Sequence, residues 1–141
     1  MLKYLLIFPL FLLNNTCFSS NLTNFNHFLG ILARVESSNN PKAYNKSENA
    51  IGIYQIRLNY FIDATKYDKN LAKYEHSDCF NPEISKLVVK AYFGKYSKTN
   101  DFEEWARLHN GGPNWKNKTG KSKENLNRYW ENFQKKSLTN K

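Results

Sequence analysis

The sequence predicts an all-α domain, and three observations carry that prediction. Apolar residues recur at spacings of three and four in several stretches, and the breaks between them fall at proline, glycine and helix-capping side chains. No stretch alternates apolar and polar residues convincingly enough to read as a strand. A chain of 141 residues has room for one such domain, built from five or six short helices.

The first segment stands apart from that domain. Met1-Leu2-Lys3 is a short basic start, and the apolar run from Tyr4 to Leu13, broken by Pro9, is too short to cross a bilayer as a helix. With small residues at Ser19 and Ser20 it reads as a secretory signal peptide over residues 1–20. An uncleaved anchor is the alternative. The mature domain is then 21–141, secreted or periplasmic, with no stable membrane anchor.

Phe25, Phe28, Leu29, Leu32 and Glu36 share one face of a helix from about Asn24 to Ser37, which Pro41 would end. A polar loop runs to Ala50. A second helix, from about Ile53, carries Ile56, Tyr60 and Ala64. Asn81-Pro82-Glu83 combines a capping side chain, a proline at the first helical position and an acid at the positive end of the helix dipole. Ile84, Leu87, Val88, Ala91 and Tyr92 form its stripe. Asp101 and Glu104 suggest a capping box before Phe102, Trp105 and Leu108, a helix that stops at Gly111-Gly112-Pro113. Ser122 caps a last helix bearing Leu126, Tyr129, Trp130 and Phe133, with a frayed tail after Lys135.

Removing residues 1–20 costs Lys3 alone among the charges, so the net charge of +9 falls by one to +8. Such a domain is drawn to polyanions, whether nucleic acid, anionic lipid or an acidic wall polymer. Cys17 leaves with the signal and Cys79 stays alone, so the mature chain can form no internal disulfide. Its stability must come from a core, which an aromatic content of 16% can supply. No zinc spacing, phosphate loop or nucleophile triad is present, so no metal or cofactor is expected.

Glu36 is the residue of chemical interest, a carboxyl at the end of an apolar stripe. Burial there would penalise its charged form, raise its pKa and let it act as a general acid near neutral pH. Periodicity alone favours the plainer alternative, in which Glu36 merely turns outward in the last helical turn.

Four strings settle between those readings. Glu36-Ser37, Gly52-Ile53-Tyr54-Gln55-Ile56, Ala106-Arg107-Leu108-His109-Asn110-Gly111-Gly112-Pro113 and Asn127-Arg128-Tyr129-Trp130 occur in the order of the motifs of the lysozyme-like superfamily. They resemble the Glu-Ser, Gly-Leu-Met-Gln, Ala-Tyr-Asn-Ala-Gly and Asn-Tyr-Val motifs of soluble lytic transglycosylase (SLT) domains. The third is closer still to the Ala-Arg-x-His-Asn-Gly-Gly-Pro string of invertebrate-type lysozymes. The resemblance spans about residues 25–134 and implies an SLT-type fold around a substrate cleft.

Carried over residue by residue, it implies Glu36 as catalytic acid and Ser37 as its polar neighbour. Gly52 would let the second helix approach the cleft floor, and Gln55 would point an amide at the sugar or the acid. Asn110, held by the Gly111-Gly112-Pro113 turn, would bind the substrate's N-acetyl group. Tyr129 would face Glu36 and share a hydrogen bond with it, while His109, Tyr54 and Trp115 are further candidates for substrate contact. The implied substrate is peptidoglycan, cut between N-acetylmuramic acid and N-acetylglucosamine by a monomeric enzyme, with no nucleic acid partner.

Hydrolysis would need a second carboxylate, whereas anhydro-forming transglycosylation uses the muramic acid's own hydroxyl. Counting back seven residues from Gly52 puts Asn45 where invertebrate-type lysozymes carry an aspartate. Glu48, three residues on, is the candidate replacement, or else a solvated loop charge. A catalytically silent wall-binding or polyanion-binding module remains the competing reading, and it would need the lysines and arginines but not Glu36.

Overall fold

The computed structural model describes residues 16–139, with side chains from residue 23 onward. The expected signal peptide therefore lies mostly outside the described residues. Helix α1 (Thr16–Ser37) is followed by three two-residue strands, β1 (Tyr44–Asn45), β2 (Ala50–Ile51) and β3 (Ile56–Arg57), and by helix α2 (Leu58–Tyr67). Helices α3 (Pro82–Tyr96), α4 (Phe102–Gly111) and α5 (Gly120–Leu138) complete the chain, with short 3-10 turns at Lys69–Leu71, His76–Phe80 and Trp115–Asn117.

The stripe on α1 is buried as its spacing demands: Phe25, Phe28, Leu29 and Leu32 all lie in the core. Phe28 sits at its centre, edge-on to Phe93, Phe102 and Trp105 and stacked on Phe133 with ring centroids 5.1 Å apart. Its partners come from α3, α4 and α5, so one ring ties α1 to three other helices. Aromatic pairs of this kind add about 0.5–1.5 kcal/mol each beyond area burial.

α1 ends before Pro41 is reached. Ser38 and Asn39 adopt left-handed conformations, and the Asn39 N–H bonds back to the Ala33 carbonyl at 3.0 Å, which satisfies the end of the helix without glycine.

The small sheet departs from the all-helical expectation between residues 44 and 57. β2 pairs antiparallel with both neighbours, in the registers Asn45↔Ala50 and Ile51↔Ile56. Two-residue strands are too short to write an alternating pattern, which is why the sequence hid them. Residues 53–55 consequently belong to the β2–β3 turn, and α2 starts only at Leu58. Gly52 serves that turn rather than a helix: its φ is +76°, and a Cβ there would lie 2.0 Å from the Cys79 carbonyl oxygen.

Asn81 caps α3 through its side chain, with Pro82 at the first turn. Its buried face is rotated from the expected one. Ser85, Val88, Val89 and Tyr92 face inward, and Leu87 is exposed. Asp101 caps α4 by accepting from the Glu104 N–H, but the Glu104 carboxylate accepts from Ser97 and the Lys98 N–H instead of closing a box. Gly112, with φ +77°, ends that helix. α5 begins at Gly120, with Thr119 rather than Ser122 at its cap, and runs past Lys135 to Leu138.

Candidate active site

Glu36 lies in the last turn of α1, one turn beyond Leu32 on the buried stripe. Continuing that stripe carries the carboxyl under α5, where only 15% of the side chain is exposed. The Tyr129 phenol, from α5, donates a hydrogen bond to Glu36 Oε1. Burial pushes the Glu36 carboxyl up to about 7, against the opposing pull of the Tyr129 hydrogen bond and the Arg57 charge; the Glu48 charge adds to the rise. Burial and the charge of Glu36 hold the Tyr129 phenol far above its ordinary range, so it keeps the proton that it donates to Glu36. With Oε1 so engaged, the acid proton of Glu36 belongs on Oε2.

His109 closes the site from behind. It is 3% exposed, and its Nε2 lies 2.9 Å from the Tyr54 carbonyl and 3.6 Å from Glu36 Oε1. A carbonyl only accepts, so Nε2 carries the hydrogen and Nδ1 accepts from the Tyr60 hydroxyl at 3.2 Å. Burial, together with the Arg57 charge, lowers the imidazole to about 3, so His109 is neutral beside Glu36 and forms no ion pair with it.

In front of Tyr129 opens a cleft of about 580 Å³, lined by Glu48, Arg57, Asn110, Gly111 and Tyr129, and along α5 by Arg128 and its neighbours. A Cβ on Gly111 would meet Trp115 Cβ at 2.8 Å and Leu126 at 3.1 Å, so the glycine lets the end of α4 press against the wall of the cleft. Arg57 donates to one oxygen of Glu48, with Nε and Nη2 at 2.8 and 2.6 Å from Oε2.

The family model described as Destabilase matches residues 26–136. The chain belongs to the Destabilase family. That family is lysozyme-like, of the invertebrate type, and muramidase and isopeptidase activities are known in it. The chain is thus a member of a lysozyme-like glycosidase family, and the match takes in α1 from residue 26 onward, the sheet and the cleft residues. The likeness to SLT domains in particular is not part of it. No curated protein matches the chain.

Within this Destabilase-family chain the residues expected at the site divide into two layers. Glu48, Asn110, Gly111 and Tyr129 line the cleft, and the Asn110 amide has no hydrogen-bond partner among the described residues. Ser37, Tyr54, Gln55 and His109 lie behind it. The Ser37 hydroxyl bonds to the Ala33 and Ile53 carbonyls at 3.2 and 2.9 Å, stitching α1 to the β2–β3 turn. Gln55, itself left-handed at φ +50°, donates to the Gly52 and Ala43 carbonyls at 2.9 and 3.3 Å and so braces its own turn. Tyr54 is buried and turned into the core. The Ser37 hydroxyl, the Gln55 side-chain N–H groups and the His109 ring are thus engaged within the protein, and these residues brace the wall that carries Glu36. The Trp115 ring lies under Arg107 and Lys116, at 5.9 and 5.3 Å.

Asn45 is turned to its own loop, its Oδ1 accepting from the backbone N–H and hydroxyl of Ser47 at 3.2 and 2.8 Å. Arg57 was invisible as a site residue. Its partner is nine positions away, and only the unseen hairpin brings the two together. Among the described residues no cluster of three or more metal-ligating side chains is present, and no helix is long and apolar enough to cross a membrane.

Proposed function

We propose that the protein is a peptidoglycan-cleaving glycosidase acting on the β-1,4 bond between N-acetylmuramic acid and N-acetylglucosamine, with Glu36 as its general acid. The observation that carries this reading is the Glu36 carboxyl itself, raised to about 7 by burial and hydrogen-bonded by Tyr129, whose side chain lines the open cleft. A neutral carboxylic acid held in one orientation meets the need of acetal cleavage, in which the leaving oxygen must gain a proton as positive charge builds on the anomeric carbon. The open Asn110 amide is suited to an N-acetyl group, and the cationic side chains of Arg57, Lys118 and Arg128 along the cleft suit an anionic polymer. The enzyme acts without a cofactor, as a secreted or periplasmic monomer.

Clearing of a peptidoglycan suspension tests the assignment. Glu36→Gln keeps the shape and loses about 10²- to 10⁴-fold in rate, the usual worth of a positioned general acid. Clearance at the wild-type rate would overturn it, as would salt-sensitive retention on cell walls by the wild type with no release of soluble fragments.

A further inference from the structure

The hairpin register places Arg57 opposite Ala50, two residues beyond Glu48 on the paired strand. Diagonal neighbours of this kind are within reach of long side chains. Arg57 spans that diagonal and puts both of its bonds on Glu48 Oε2, leaving Oε1 uncommitted. The carboxylate and Tyr129, the ring bonded to Glu36, line the same cleft. Asn45 cannot take this place, being occupied with Ser47. Both members of the pair are more than a third exposed, at 38% and 48%, so the bond is worth little to stability. Its geometry is better explained by orientation.

We propose that Arg57 is a positioning residue that presents Glu48 Oε1 to a water molecule, so that the chain cleaves by hydrolysis rather than by anhydro-ring formation. This rests on the reading of Glu36 as general acid. Glu36 gives its proton to the leaving sugar oxygen as the bond from that oxygen to the anomeric carbon breaks. The water's oxygen bonds to the anomeric carbon and its proton passes to Glu48. One water is consumed, and solvent exchange returns a proton from Glu48 to Glu36.

Arg57 also acts on the acid through space. The groups that bear on the Glu36 carboxyl are Tyr129 from α5, His109 from α4, Arg57 from β3, Glu48 from the β1–β2 turn, and Tyr60 from α2. Of these Arg57 is the cation, His109 being neutral. Removing it should raise the pH at which Glu36 gives up its proton.

Three variants separate charge from geometry, read by kcat and KM across pH on soluble wall fragments and by mass spectrometry of the products. Wild type should leave reducing ends, one water heavier than anhydro ends. Arg57→Lys retains the charge but not the two-pronged grip, so kcat should fall at least tenfold with KM nearly unchanged and the alkaline limb of the profile in place. Arg57→Ala should lower kcat at least as far and also move that limb to higher pH. Glu48→Gln should match the loss of Arg57→Lys. Wild-type kcat in Arg57→Lys or Glu48→Gln, or anhydro ends from the wild type, would overturn the proposal. Should Glu36→Gln be inactive in either case, the general-acid reading stands alone; should it be active, that reading is what fails.

Discussion

Glu36 is asked to be neutral where a free glutamate would be charged, and the cost falls on folding. Its ordinary value of 4.5 is raised to about 7, so between those pH values the native state holds a proton that the unfolded chain has released. Stability is therefore highest with Glu36 protonated and is lost as pH rises from about 4.5 through 7, by about 3 kcal/mol in total. His109 works in the opposite direction. Its value falls from 6.5 to about 3, so the stability it contributes is present above 6.5 and is lost as pH falls toward 3. Thermal melts across pH should accordingly show Glu36→Gln gaining on the wild type as pH rises from 5 to 8, with little difference at pH 4. Below pH 6.5 both proteins should weaken together through His109. Parallel melting curves for the two at every pH would mean that the carboxyl is not strained by its setting.

At the scale of elements, the β2–β3 turn holds the site in place. Ser37 bonds to it from α1, Tyr54 offers its carbonyl to His109 from within it, and Arg57 leaves it for Glu48. Gly52 seats the turn on the Cys79 carbonyl, with φ +76° and no room for a side chain. Gly52→Ala must both adopt a disfavoured backbone and push a carbonyl aside, at about 2–4 kcal/mol. Urea denaturation should show that loss, with the remaining folded fraction less active because Ser37 and His109 are displaced with the turn. Long helices with a clear period were legible in the sequence. Asn81-Pro82 and Gly112 mark helix ends by chemistry that acts within a few residues, and both stand where they were expected. The hairpin was not legible, since its strands are two residues long and its left-handed positions include Asn49 and Gln55 rather than glycines alone. The same blind spot decided the site. Tyr129 meets Glu36 by a motif the sequence displays, whereas Arg57, and the inward turn of Ser37 and Gln55, depend on a register that no periodicity records.

For the whole molecule, the aromatic side chains supply what the absence of an internal disulfide in the expected mature chain requires. Cys79 is buried, and burial, with a smaller contribution from Asp78, pushes its thiol up to about 12, which makes it a packing group rather than a reactive one. Phe28 links α1 to α3, α4 and α5 through four ring contacts. Phe28→Ala should cost about 3–5 kcal/mol, a large share of the roughly 5–15 kcal/mol that holds a domain of this size folded. A loss of unfolding free energy in urea of less than a third of that would show that the cluster can collapse around the gap.

Glu36 and Tyr129 are 93 positions apart. The phenol that orients the acid is therefore among the last parts of the chain to be made. A chain cut short before α5 would carry Glu36 without that partner, and so without the oriented carboxyl on which the proposed cleavage depends.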